Sequence, residues 1–194
     1  MSFEIGKLDR RELMAGAAAF FGTAVLPTLA KATTAAYVVP EHFRPTAVKI
    51  TAGYAPGTIH VFTENHLLYF VTAEGQAIRY GVGVGAEGRQ FRGNATIRRK
   101  VEWPSWTPTR NMIRRRPDLY RQHAGGMPGG PNNPLGARAM YLYRNGRDSM
   151  YRIHGTTVPQ SIGHSVSNGC IRMVNEHVEH LYELVPIGTR VYVS

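Results

Sequence analysis

One cysteine and one histidine carry the chemistry that this chain suggests. Cys170 is the only cysteine in 194 residues, and His154 stands sixteen residues before it, at the end of the strand-like run Met150-Tyr-Arg-Ile153. A thiol in a glycine-rich turn with an imidazole within reach is the minimum equipment for acyl transfer through a thioester. Gly155 follows His154 at once. A glycine there lets the chain turn sharply and leaves its carbonyl free to accept from the imidazole Nδ1–H, which would fix the tautomer with Nε2 towards the thiol. Gly169 precedes Cys170 and allows a tight turn that exposes the sulfur; the N–H groups of Gly169 and Cys170 are candidates for an oxyanion hole. Arg172 is placed to bind a substrate carboxylate bidentately or to stabilise the thiolate through its field. Ser167, just ahead of the cysteine, and Trp106, far upstream, complete the candidate substrate contacts.

Each of these residues has a blander reading. A lone cysteine is a dimer link, a reactive thiol or a small buried apolar side chain. The neighbours Ser167-Asn168-Gly169 speak for the reactive thiol, because polar residues and glycine do not line a dry core. A histidine is more often structural than catalytic, and the chain has eight; His164, six residues before Cys170, is a rival base. Arg172 could hold the loop through an internal salt bridge. No Cys/His zinc spacing and no RNA-binding motif occurs, so neither a metal, a cofactor nor nucleic acid is expected.

The elements that must position these groups read mostly as β. Ala47–Thr51, Thr58–Phe62, His66–Val71, Gln76–Val84, Ala139–Arg144, Ser149–Ile153 and Thr189–Val193 are β-prone runs rich in valine, tyrosine and isoleucine. Glu74-Gly75 and Asn145-Gly146 mark hairpins, the second being the strongest short hairpin signal. In a strand His154 shares a face with Arg152, opposite Tyr151 and Ile153. If those two point to the core, His154 looks outward into a cleft. Asn175 is a candidate N-cap for a helix with Val178, Leu181, Tyr182 and Val185 on one face, ended by Pro186. A second, shorter helix over Asn111–Gln122 is interrupted by Pro117. Residues 101–135, with two tryptophans, Arg114-Arg-Arg116 and many Gly and Pro residues, form a long irregular insertion of the kind that serves as a lid. Seven or eight short strands with one or two short helices predict a mainly β domain, a β-sandwich or open barrel.

Residues 1–32 read as an export signal. Arg10-Arg11 precedes an apolar run from Leu13 to Leu26 and a small-residue site at Ala30-Lys31-Ala32, and the paired arginines suggest the twin-arginine route. The run is shorter than the roughly 20 residues that a spanning helix needs, so no stable membrane span is expected after removal. Residues 33–45 read as an extended lead-in and 46–194 as one catalytic domain. Nearly all of the net charge of +10 falls outside the signal. A basic exported domain finds its anionic partner in the carboxylates of the cell wall.

The pattern His154-Gly-Thr, Ser161-Ile-Gly163, Ser167-x-Gly-Cys170-Ile-Arg-Met173 resembles the signature of the L,D-transpeptidases, the YkuD domain family. The likeness continues in Gly130-Pro-Asn-Asn-Pro-Leu-Gly136 and in Leu181-Tyr and Gly188-Thr-Arg-Val191, and covers roughly Thr46 to the C-terminus. The resemblance implies a periplasmic cysteine enzyme acting on peptidoglycan stem peptides. The cysteine matched by Cys170 attacks the amide between diaminopimelate and terminal D-alanine of a tetrapeptide, D-alanine leaves, and an amine resolves the thioester. The histidine matched by His154 is the base, and the carbonyl matched by Gly155 orients it. The acceptor is another stem, giving a 3→3 cross-link, an outer-membrane protein amine, a free D-amino acid or water. Carbapenems acylate such cysteines. Many relatives have histidine where Asn168 stands, and close ones often have Asp where His177 stands, so Asn168 supplies no base and His177 ill suits a helix start. The alternatives are a cysteine endopeptidase, a non-catalytic wall-binding module and a thiol redox protein, the last lacking a resolving cysteine.

Overall fold

A computed structural model describes residues 37–194; the expected signal, residues 1–32, lies outside them. The chain forms β1 (Thr46–Lys49), β2 (Ile59–Phe62), β3 (Leu67–Ala73), β4 (Gln76–Gly81), β5 (Val84–Gly85), β6 (Gly93–Glu102), α1 (Arg110–Arg115), α2 (Pro117–Tyr120), β7 (Arg138–Arg144), β8 (Arg147–His154), β9 (Ser165–Ser167), β10 (Ile171–Arg172), α3 (Asn175–Leu184) and β11 (Arg190–Val193). Nine strands make one sheet in the order β1-β4-β3-β2-β11-β6-β7-β8-β10, and β5 pairs with β9. The expectation of a mainly β domain holds. The chain leaving β4 crosses to the far edge, where Gly83 exchanges main-chain hydrogen bonds of 2.9 and 2.7 Å with Arg172. The two ends of the strand order are thus drawn together, as in an open barrel.

One sheet face is continuously apolar, because alternate residues of a strand share a face. Across the ladder Leu68 faces Val61, Phe70 faces Ile59, Ile59 faces Val191, Ile97 faces Leu142, Met140 faces Ile153 and Ile153 faces Ile171. All are buried. α3 lays Val178 and Leu181 on this surface; truncating Leu181 to alanine should cost about 2–5 kcal/mol.

Three expectations change. The run Gln76–Val84 splits after Gly81, where the chain bends towards β10. β6, ten residues long, has no counterpart in the sequence reading. Asn175 does not cap α3: Val174 holds the N-cap position without a side-chain bond, and Asn175 Oδ1 accepts from the Ala137 N–H at 3.1 Å. His177 burdens the helix start less than its type suggests. Burial lowers its pKa, against an opposing pull from Glu176, so the ring stays neutral beside the positive helix end.

The lid-like insertion begins after β6 and is ordered by its own polar groups. Thr109 Oγ1 caps α1 by accepting from Met112 N–H. Trp106 and Met127 exchange main-chain hydrogen bonds of 2.9 and 2.7 Å. Asn133, 1% exposed, donates to the carbonyls of Met127 and Pro128 and accepts from Leu135 N–H.

Candidate active site

β8 and β10 run parallel, with Ile171 opposite Ile153 and Arg172 opposite His154. Since Ile153 and Ile171 face the core, Arg172 and His154 stand on the other side of the sheet; Arg152, two residues earlier on β8, joins them, and Cys170 stands in the loop immediately before β10. The predicted base and arginine thus share one surface, and the predicted nucleophile precedes β10 beside them, where the charges of Arg152 and Arg172 reach it.

His154 Nδ1 lies 2.5 Å from the Gly155 carbonyl oxygen. A carbonyl can only accept, so Nδ1 carries the proton and Nε2 is left as the basic nitrogen. The ring is 4% exposed, so the open cleft expected around it is not seen. Burial pushes its pKa down to about 4; the Gly155 carbonyl pulls it up, and the charge of Arg172 pushes it down again. The imidazole is thus neutral, and able to accept a proton, at neutral pH.

Gly155 is fastened from behind. A Cβ there would overlap Asn175 Oδ1, and the same oxygen leaves no room for a Cβ at Gly136, whose φ is +64°. Gly155 N–H donates to the Arg138 carbonyl at 3.0 Å. The amide of Asn175, first residue of α3, therefore holds the turn whose carbonyl orients the His154 ring. Sequence reading misassigned this residue, because an asparagine at a helix start is ordinarily read as a cap.

Cys170 is a free, partly exposed thiol. Burial raises its pKa; the main chain and charge of Arg152 and the charge of Arg172 lower it, and Asp148 raises it. At rest the Sγ–H donates to the Met150 carbonyl at 3.9 Å, and no thiol–imidazole hydrogen bond is formed among the described residues. Thiol and imidazole are both neutral here, in contrast to a preformed thiolate–imidazolium pair. Arg172 is half-buried and belongs to none of the ion pairs of the described residues, so the internal salt bridge considered for it is not made. Burial lowers its pKa, while Cys170 and Tyr120 raise it, which places its charge between thiol and lid.

Two expected roles do not survive. The Gly169 N–H does not face a developing oxyanion; it donates to Ser167 Oγ at 3.0 Å. Ser167 is 1% exposed, and its hydroxyl donates in turn to the Cys170 carbonyl at 2.6 Å. It braces the loop and cannot reach substrate. Gly169, with φ +129°, has no space for a Cβ against the Tyr151 ring. Trp106 lies in the lid against Tyr120 and His123, with ring centroids 6.2 and 5.9 Å away. It meets the cysteine loop through Tyr120, whose hydroxyl accepts from Asn168 Nδ2 at 3.2 Å. His164, the rival base, is exposed, and its charge is felt at His66, with none at Cys170.

The family model described as the L,D-transpeptidase catalytic domain matches residues 56–193. The Probable L,D-transpeptidase ErfK/SrfK of Escherichia coli strain K12 is 36% identical over 139 residues, covering 71% of this chain and 43% of that protein. The Probable L,D-transpeptidase YbiS of the same strain is 36% identical over 143 residues, covering 70% and 45%. The chain thus spans less than half the length of these relatives. Among solved structures, one from Brucella melitensis described as a probable carnitine operon oxidoreductase is 51% identical, with a TM-score of 0.56, covering 78% of this chain and 93% of that one. An L,D-transpeptidase from Mycobacterium smegmatis is 18% identical with a TM-score of 0.51, covering 71% and 58%; at that identity it speaks for the fold alone.

Proposed function

The chain belongs to the L,D-transpeptidase catalytic-domain family, and from that premise we propose that it is an exported cysteine acyltransferase acting on peptidoglycan stem peptides. The observation that carries this reading is the buried His154, its Nδ1 fixed on the Gly155 carbonyl, at the end of the strand paired with β10, which the sole thiol immediately precedes.

In the proposed reaction the diaminopimelate–D-alanine amide enters over Cys170. Sγ forms a bond to the carbonyl carbon while His154 Nε2 takes the thiol proton. Collapse breaks the C–N bond, the imidazolium returns the proton to the leaving amine, and D-alanine departs from a thioester. An acceptor amine then attacks the thioester, gives its proton to His154, and the thiol is restored. Because both groups rest neutral, proton transfer accompanies attack, and the neutral imidazole is the form required. The Cys170 N–H, at the loop's end, is the remaining main-chain candidate to meet the oxyanion, and Arg172 meets the D-alanine carboxylate. Trp106 supports the lid over the bound stem. Residues 1–32 direct export to the periplasm, by the twin-arginine route, and 46–194 form the catalytic unit.

The Brucella melitensis structure is described as a probable oxidoreductase. A dithiol redox mechanism needs a second cysteine, and Cys170 is the only one in these 194 residues.

The test is incubation of the purified protein with tetrapeptide muropeptides, read by mass spectrometry. Dimers with loss of D-alanine establish a 3→3 transferase. Tripeptide alone means water was the acceptor, or that the physiological acceptor, such as an outer-membrane protein amine, was missing. Unchanged muropeptides, with Cys170 reduced and no acylation by a carbapenem, would overturn the reading in favour of a wall-binding module. Cleavage of protein substrates instead would make it an endopeptidase.

A further inference from the structure

The loop ahead of Cys170 gathers positive charge that none of the described residues neutralises. Arg89 Nη1 and Arg115 Nη2 both donate to Asn168 Oδ1, at 3.2 Å each. That oxygen belongs to a neutral amide, so two like charges converge without a counter-charge. Four arginines of the described residues meet carboxylates: Arg92 meets Glu64, Arg116 meets Asp118, Arg138 meets Glu102 and Glu179, and Arg152 meets Asp148. Arg89 and Arg115 take part in none of these pairs.

The arrangement is held from several sides. Arg89 is fixed by its main chain, which packs so closely on the loop that a Cβ at Gly169 would stand 2.7 Å from its carbonyl oxygen. Arg115 comes from α1 and Tyr120 from α2, both in the lid. The orientation of the Asn168 amide follows from its partners: guanidinium groups can only donate, so Oδ1 faces them and Nδ2 donates to Tyr120. An acceptor oxygen thus already occupies the place where a planar anion would be received by two donor forks.

We propose that Arg89 and Arg115 form a carboxylate subsite that takes the side-chain carboxylate of diaminopimelate and discriminates it from the carboxamide. This rests on the acyl-transfer reading. Asn168 lies two residues from Cys170, at most about 7 Å between Cα atoms. The D-alanine carboxylate is too close to the reacting carbonyl to need that span, and falls to Arg172. The side-chain carboxylate, at the end of a three-methylene arm, covers it. A carboxamide loses the charge and keeps only one acceptor oxygen for the two guanidinium groups, where a carboxylate offers two.

The experiment compares two disaccharide tetrapeptides that differ only in the diaminopimelate side-chain carboxyl, free in one and amidated in the other. The wild-type chain should favour the free acid by about 10–100-fold in kcat/KM, mostly through KM, as expected for hydrogen bonds to a charged group. R89Q/R115Q should bring the two values within about threefold by lowering that of the free acid. Asn168→Asp, which places a carboxylate of the protein between the arginines, should narrow the gap in the same way. Arg115 is exposed, so R115Q alone serves should the double variant not fold, and must narrow the gap measurably. Equal kcat/KM in the wild type, or a preference that survives R115Q and the double variant, overturns the subsite. Turnover of neither peptide by folded, reduced protein instead overturns the acyl-transfer reading beneath it.

Discussion

Two hairpins of the sheet, β3–β4 and β7–β8, share a strategy and differ in where it is interrupted. β3–β4 turns through Glu74-Gly75 and pairs residue for residue from Leu67–Gly81 to Val71–Ala77, with its one irregularity next to the turn. β7–β8 turns through Asn145-Gly146, both at positive φ (+51° and +76°), the type I′ geometry that suits strand twist. Its ladder then breaks. Tyr141 pairs with Arg152 and Tyr143 with Asp148, so Ser149, Met150 and Tyr151 stand opposite Leu142 alone. Local bonds fill the gap: Ser149 Oγ donates to the Leu142 carbonyl and accepts from Tyr151 N–H, and Asp148 Oδ1 accepts from Met150 N–H. Met150 takes φ +65°. Arg152 clasps both oxygens of Asp148, at 2.7 and 2.8 Å, with its guanidinium 4.1 Å from the Tyr141 ring centroid. The unbroken hairpin makes a wall. The interrupted one re-aims main-chain groups, and the Met150 carbonyl that results is the one that receives the Cys170 thiol.

The largest effects should come from the groups beside that interruption. Cys170→Ala is expected to abolish muropeptide turnover while leaving the circular dichroism spectrum as it is. His154→Ala should lower kcat/KM by about 10²–10⁴-fold, the usual share of a general base. Near-normal rates in His154→Ala would move the base elsewhere and detach the chemistry from the end of β8.

The next effect is on stability. His154 titrates near 4 when folded and near 6.5 when unfolded, so between these values the unfolded chain binds more protons. The stability linked to this ring is fully present above pH 6.5 and falls as pH drops towards 4, by about 3 kcal/mol in all. Urea unfolding at pH 7 and pH 4.5 measures it, and His154→Ala should lose less stability between the two than wild type. Equal losses would mean that the ring is not buried as neutral imidazole.

A smaller change sharpens the comparison at the clasp. Asp148→Asn removes the carboxylate that raises the Cys170 pKa and frees the Arg152 charge that lowers it. Iodoacetamide should then alkylate Cys170 faster at pH 7. The broken pair is partly exposed on the Asp148 side, so the cost is about 1–3 kcal/mol, below that of a fully buried pair. Slower alkylation would show that the clasp mainly holds the thiol open and that the bulge geometry outweighs its charge.

The regular hairpin could be read from sequence because its signals are local: Glu74-Gly75 between two apolar runs. So could the pairing of β7 with β8, from Asn145-Gly146, and the buried face of α3, from Val178 and Leu181. β6 could not. Its alternation holds through Ala95 and Ile97 and then slips at Arg98, where the register shifts, and its outer face is arginine, with Arg99 4.7 Å from the Tyr141 ring centroid. In the site, the contact of His154 Nδ1 with the Gly155 carbonyl was legible because its two partners are neighbours in the sequence. Gly169 and Ser167 were misread for the opposite reason: whether an N–H is free or a hydroxyl exposed depends on what folds against it. The meeting of Arg89, Arg115 and Tyr120 at Asn168 joins residues up to 79 positions apart, and nothing local announces it.

The smallest expected effect is the most discriminating between the hairpins. Gly75 and Gly146 occupy corresponding turn positions at φ +72° and +76°; a Cβ at Gly146 would meet open space, and one at Gly75 only the Ile50 carbonyl at 3.7 Å. Alanine at either should therefore cost the same, about 1–2 kcal/mol, from backbone strain alone. Their consequences for the thiol should differ. Strain at Gly75 stays in a wall, so the alkylation rate of Cys170 should match wild type. Strain at Gly146 lies two residues from Asp148 and can be relieved by shifting the bulge, which moves the Met150 carbonyl and changes that rate. If Gly146→Ala loses the same stability and leaves alkylation untouched, turn and bulge are independent. The control of the nucleophile then narrows to the Asp148–Arg152 clasp, and the hairpin turn serves only to join the strands.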